Sequence, residues 1–224
     1  MSANFPPESR VSLQAALDEL PIFPLGQVVL FPNALLPLHI FEPRYQTMLK
    51  TVLATNGAMA IGHVEDPADL DALGNPKISA IAGAGCIVEH ESLPGGRSNI
   101  VVRGVARVLI DELPYVSPYR RARATILRDP PSTVVSAERT ALLGAAASFA
   151  TAVRRHDASF SFEVPSDLED AALADTCAHH LIVDPAVRQQ VLEELDVVAR
   201  VRSVTSELVI QRRTLFGNAG GVLN

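Results

Sequence analysis

Cys177-Ala178-His179-His180 is the cluster whose residue types look most like metal chemistry. On a helix, Cys177 and His180 fall at i, i+3 on one face, and Asp184 lies one further turn on. Zinc takes three or four ligands, and no second cluster supplies the remainder. The spacing predicts no metal, but a packed Cys177 beside two partly exposed histidines. His39 sits in an apolar stretch next to Phe41's strand end and could act as a base or ligand, yet no cysteine or serine motif accompanies it. It reads as a hydrogen-bonded histidine at the rim of a core. Glu42 and Arg44 flank Pro43, where Glu42 suits the positive end of a helix dipole. Gly83-Ala84-Gly85 lacks the third glycine and following helix of a phosphate-binding turn, so a bend in a sheet is expected. Arg120, Arg121, Arg123 and Arg128 read as a solvated strand face. No acid, base and nucleophile converge, so no catalytic residue and no cofactor is expected.

The apolar loop Phe31-Pro32-Asn33-Ala34-Leu35-Leu36-Pro37 stands apart. Loops run at the surface, and an exposed apolar patch marks a partner site. Phe31, Leu35 and Leu36 are therefore candidate polypeptide contacts. The alternative is that the loop folds back as core, the more natural place for Leu36.

Prolines at 21, 24, 32, 37 and 43 bar a helix through most of the stretch from Leu20 to Tyr45, because each lacks an N–H and fixes φ. Short strands are expected at Ile22–Pro24, Val28–Leu30 and Leu36–Ile40. Tyr45, Met48, Leu49, Val52 and Leu53 then form one helical stripe, closed at Asn56-Gly57. Ala58–Val64, Ile78–Glu91, Ser98–Leu113 and Tyr119–Leu127 read as strands, with Gly83, Gly85 and Gly104 marking bends. Arg128-Asp129-Pro130-Pro131 marks a boundary. Beyond it the period is helical: Ser136 to about His156, a helix opened by a Ser166–Glu169 capping box, and a last, longest helix from Asp184-Pro185 to about Phe216. In that last helix Leu195 lies on the apolar stripe and Asp196 pairs with Arg200 at i, i+4. Strands first and helices second define an α+β chain. The expected division is a poorly ordered lead-in over 1–19 that can hold a short helix at Ser12–Leu17, a β lobe over 20–130 and a helical lobe over 131–224.

The 224 residues are 48% hydrophobic and 20% charged, the composition of a globular protein. A net charge of −6 and a pI near 5.5 disfavour a nucleic-acid partner. The N-terminal residues lack the basic start and apolar core of a signal peptide, and no window reaches the ~18–20 apolar residues of a membrane span. Two separated cysteines suit a reducing, cytoplasmic setting.

Leu20-Pro21-Ile22-Phe23-Pro24-Leu25, Val29-Leu30-Phe31-Pro32 and Leu36-Pro37-Leu38-His39-Ile40-Phe41-Glu42-Pro43-Arg44-Tyr45 resemble the opening of the Lon protease N-terminal, substrate-binding domain family. Ala82–Val88, Gly96–Arg107, Pro118-Tyr119 and Gln189–Asp196 are similar to later blocks of that family, in the same order. The resemblance covers roughly Leu20 to Arg213. It implies a twisted pseudo-barrel related to the PUA-like folds, with one helix, followed by a helical bundle. It also implies binding of unfolded or extended polypeptide, with a protease or chaperone as a further partner. The family's ATPase and protease parts have no counterpart here. The sequence contains no Gly-Lys pair for a phosphate loop, and Lys50 and Lys77, its only lysines, lie in the N-terminal half. The expectation is a free-standing, non-catalytic polypeptide-binding module, possible as an adaptor or regulator in protein quality control. A small-molecule binder or enzyme in a cleft between the lobes stays open as an alternative, and a PUA-like RNA binder is disfavoured by charge.

Overall fold

The first helix begins before the lead-in expected over residues 1–19 has ended. In the computed structural model, which describes residues 7–163 and 167–217, α1 spans Pro7–Ala16 and a 3₁₀ turn spans Leu17–Glu19. Leu13 and Ala16 are buried in the core of the β unit, so this segment from Pro7 is part of the fold and not a loose lead-in. Two compact units follow from the packing: one holds the described residues up to Arg128, the other those from Asp129 onward.

The first unit is built from β1 (Leu20–Leu25), β2 (Leu35–Ile40), α2 (Pro43–Ala54), β3 (Ala58–His63), β4 (Ile81–Ser92), β5 (Ser98–Glu112) and β6 (Arg120–Leu127). The order is β2-β5-β4-β3-β1-β6, and β5 also pairs with β6. Five strands therefore close into a ring, and β2 is appended to the first half of β5. β1 runs parallel to β3; the other pairings are antiparallel. Closure needs bends. They lie where the β4–β5 register shifts, at Ala84/Gly85 and at Ile87/Glu89.

Alternation along each strand feeds two apolar clusters, one on each face of the sheet. Leu20, Ile22, Ala58, Ala60, Ala84 and Val108 join one, together with Leu13 of α1. Phe23, Met59, Ile61, Ile100 and Val102 join the other, under the Tyr45, Met48, Leu49 and Val52 stripe of α2. Leu53, read from the sequence as the end of that stripe, is exposed. The small alanines of β3, β4 and β6 leave room for α1 on the first face.

Val28–Leu30 is not a strand. Val29, Leu30 and Phe31 form an irregular crossing buried against the sheet. A Cβ at Gly83 would stand 1.8 Å from the Leu30 carbonyl oxygen, and one at Gly104 2.0 Å from that of Phe31. The two glycines remove the side chains that would hold the crossing off the sheet. Asn33 N–H donates to the Gly104 carbonyl at 3.0 Å, and Gly104 N–H to the Ala34 carbonyl at 2.9 Å.

The second unit comprises α3 (Ser136–His156), α4 (Asp170–Leu181), α5 (Pro185–Glu193) and α6 (Val197–Phe216). α4 starts at Asp170, with Glu169 at its N-cap and no side-chain cap bond. Ser166 of the expected capping box lies outside the described residues. The expected single last helix is two. The chain breaks at Glu194-Leu195-Asp196, and the Asp196 carboxylate accepts from Ala199 N–H at 2.9 Å as the N-cap of α6. As a result α3, with 21 residues, is longer than α6, with 20.

Arg200 does not pair with Asp196. Its guanidinium folds back over the break: Nε donates to the Glu194 carbonyl at 2.8 Å and Nη2 to the Leu195 carbonyl at 3.4 Å. It thereby satisfies carbonyls that the end of α5 leaves open. Arg200 has no solvent exposure and is ion-paired with Asp129 and with the buried Asp175. The break also shifts the apolar phase. Val197, Val201, Val204 and Leu208 face inward, and Leu195 is only half-buried.

Candidate functional site

β2 is an edge strand: among the described residues it pairs with β5 alone. Gly104 N–H bonds to Ala34, and the antiparallel ladder alternates from there. Leu36, Leu38 and Ile40 therefore turn their backbones toward β5, while Leu35, Pro37 and His39 turn theirs to the free edge. Pro37, with no N–H, sits where the β5 ladder asks for none. Leu35, Pro37, His39 and the following Phe41 are exposed, with Leu35 at 51% and Phe41 at 59%.

Of the three sequence candidates, only Leu35 faces solvent. Phe31 is fully buried and Leu36 nearly so, at 7%. The loop folds back as core at Phe31 because Gly83 and Gly104 let its backbone lie against the sheet. The residues that sequence reasoning missed are Pro37 and Phe41. The period of two from Leu35 to Phe41 was the signal that could have found them.

A groove of about 520 Å³ runs beside this row, lined by Pro37, His39, Glu89, Glu91, Asn99 and Val101 among others. His39 Nδ1 lies 2.8 Å from Asn99 Oδ1, and Asn99 Nδ2 donates to Glu91 at 2.9 Å. The His39 ring stacks with Phe41 at 6.0 Å. His39 is thus a rim histidine held by an amide, with no nucleophile in its network. The groove is acidic and partly apolar. Two of the four arginines of the cluster are ion-paired: Arg120 with Glu112, and Arg121 with Glu19. Arg44 pairs with Glu42 at 2.9 Å.

Cys177 is buried, and burial pushes its thiol up to about 12; Cys86 is pushed to about 11 by the same cause. Neither is a thiolate at neutral pH. Among the described residues no group of three or more His, Cys, Asp or Glu is placed to hold a metal ion. His180 packs on Phe162 at 5.3 Å, and His179 meets His180 edge-on at 4.8 Å.

Burial, helped by the charges of His180 and Arg188, pushes His179 down to about 4. The unfolded chain takes up this proton near pH 6.5, while the folded chain resists until about 4. Folded-state stability therefore falls as pH drops through that window and loses nothing more from His179 below it. Thermal melts from pH 7 to 4 should show a shallower decline for His179→Gln than for the unaltered protein. Parallel declines would remove His179 as their source.

No helix among the described residues is long and apolar enough to cross a membrane. A closed β ring with an appended edge strand, followed by a helical unit, is the α+β architecture of this chain. Residues 19–209 match the family of the ATP-dependent protease La (LON) substrate-binding domain, and the chain belongs to that family. It is 34% identical over 208 residues to the Lon protease of Roseiflexus castenholzii, covering 88% of this chain and 25% of that protein. It is 29% identical over 209 residues to Lon protease 2 of Sorangium cellulosum, again covering 88% and 25%. The chain thus spans about a quarter of the length of these curated relatives. Two solved structures share its fold. The Lon N-terminal domain protein of Xanthomonas campestris has a TM-score of 0.61 at 19% identity, covering 84% of this chain and 97% of that one. The N-terminal domain of Mycobacterium avium complex Lon protease has a TM-score of 0.63 at 18% identity, covering 86% and 98%.

Proposed function

We propose that this chain is a non-catalytic module that holds unfolded or extended polypeptide along the free edge of β2. The observation that carries this reading is the outward row of Leu35, Pro37 and, just past the strand, Phe41, along a strand whose second edge is unpaired among the described residues. An incoming segment would add as a strand, with backbone bonds giving affinity. Pro37 withholds one N–H, so part of the affinity must come from apolar burial. Such contacts are indifferent to sequence detail, which suits a module serving many chains. Glu89 and Glu91 beside the row repel phosphate backbones and favour neutral or basic segments. Delivery of the held segment to a protease or chaperone, as an adaptor or regulator in protein quality control, follows from this role. The family match supports the reading because it names a substrate-binding domain.

The test is fluorescence anisotropy with a labelled unfolded peptide. A Leu35→Asp, Phe41→Asp double variant should bind at least about tenfold more weakly, since each side chain returns on the order of 1.5–3 kcal/mol when fully buried. Both residues are exposed, so its melting temperature should match that of the unaltered protein. Equal affinity would clear the edge strand of any role. Tight RNA binding at physiological salt would overturn the class of partner.

A further inference from the structure

We propose that a small recess in the β unit, between the end of β1, the start of α2 and the loops around Asn75 and Tyr115, binds a carboxylate group. The recess encloses about 80 Å³. That is room for a carboxylate and one or two carbons, and far below the ~300 Å³ of a typical small-molecule site. Pro24, Pro76, Pro118 and Tyr119 contribute to its walls, and Arg44, Tyr45 and Arg120 reach into it.

Two of the residues lining the recess carry guanidinium donors, and each is tied to neighbouring groups. Arg120 donates through Nε and Nη2 to Glu112 and through Nη1 to the Pro76 carbonyl, and its side chain is 11% exposed. Arg44 lies over the Tyr45 ring, 4.6 Å from its centroid, with Nε bonded to Glu42. A guanidinium carries five N–H groups, so each arginine keeps donors beyond those its glutamate takes. Tyr45 is 5% exposed and its ring packs on Phe23 at 4.3 Å. Among the described residues its side chain makes no hydrogen bond, although it lines the recess. Its hydroxyl, open to solvent in the recess, is a donor free for a ligand acceptor. Burial raises the Tyr45 phenol, and the opposing pull of Arg44 and Arg120 does not reverse this, so it remains a donor.

The occupant must be small, rich in acceptors and singly charged. Each arginine is already matched by one glutamate, which disfavours a dianion. Aromatic and proline walls suit a planar group better than a tetrahedral one. If the chain binds polypeptide as proposed above, the carboxylate comes from a chain end or from an acidic side chain.

The test needs no unfolded polypeptide, so its outcome is separate from that of the edge strand. Arginine Nε–H and tyrosine ring NMR signals are followed while N-acetylglycine, N-acetylglycinamide, N-acetylaspartamide or inorganic phosphate is added, in carboxylate-free buffer. N-acetylglycine should bind at least about tenfold more tightly than its amide, the usual worth of a charge-assisted hydrogen bond. Tyr45→Phe, which keeps the ring and loses the hydroxyl, should weaken N-acetylglycine several-fold with an unchanged melt, and Arg44→Gln should do the same. N-acetylaspartamide binding as tightly as N-acetylglycine would assign the recess to acidic side chains as well; weaker binding would assign it to chain ends. Equal binding of acid and amide, tighter binding of phosphate, or undiminished binding by both variants would overturn the proposal.

Discussion

Replacing Arg200 with methionine should destabilise the helical unit by about 3–5 kcal/mol, the usual cost of leaving buried partners of a broken ion pair uncompensated. Asp175, at 3% exposure, would lose the Arg200 guanidinium from its side. Asp129 would lose its bidentate partner. The Glu194 and Leu195 carbonyls at the helix break would lose a donor as well. Arg202→Met is the matched control. Arg202 pairs with Glu138 but its side chain is 68% exposed, and an exposed pair contributes at most about 1 kcal/mol. Urea denaturation followed by far-ultraviolet circular dichroism would measure both. Equal losses in the two variants would show that Arg200 is not the anchor described here. Adding Asp175→Leu to Arg200→Met should cost less than the two single losses summed, because Arg200 and Asp175 interact directly.

Gly83→Ala should cost about 3 kcal/mol or more, at or beyond the upper end of ordinary overpacking. The added methyl would meet the Leu30 carbonyl, a backbone atom that cannot swing aside as a side chain does. Gly104→Ala should behave alike, against Phe31. Gly144→Ala should have the opposite sign. Gly144 lies inside α3, is exposed, and has no atom within 4 Å of a new Cβ. Alanine there should stabilise by roughly 0.5–1 kcal/mol through helix propensity. A Gly83→Ala protein as stable as the unaltered one would mean that the buried crossing sits further from β4 than described.

Much of the fold was legible because its signals are local. Pro43 and Gly57 bracket α2, the period of two marks β6, and α3 runs over the residues that its pattern predicted. The misses are long-range. Val28–Leu30 has strand composition, and only contact with Gly83 and Gly104, distant in sequence, decides that it crosses the sheet irregularly. The break before α6 was hidden because Asp196 has two uses, salt bridge or N-cap. The choice depends on Asp129 and Asp175, which claim Arg200 from elsewhere in the chain. Phe31 was misjudged for the same reason as its neighbours, since a loop's composition does not say what lies beneath it. Leu35 was legible as a member of an apolar stretch, but its outward aim depends on the pairing register of β2 with β5.

The closure of the β ring has a consequence for how the chain reaches its native state. Leu20 pairs with Ala122, and Ile22 with Arg120, so the first strand of the ring is also the one that must wait for its last. β5 is similarly shared, pairing with β2 through its first half and with β6 through its second. Such contacts require a long loop to close before they return any stabilisation, and topologies of this kind fold slowly. During synthesis β1 can pair with β3 as soon as both have emerged, but its other edge stays open until Arg120–Leu127 follows. That interval is when the nascent chain is most exposed to edge-to-edge association. Substitutions that weaken β6 should therefore lengthen a vulnerable stage of folding, even where they alter the finished protein little.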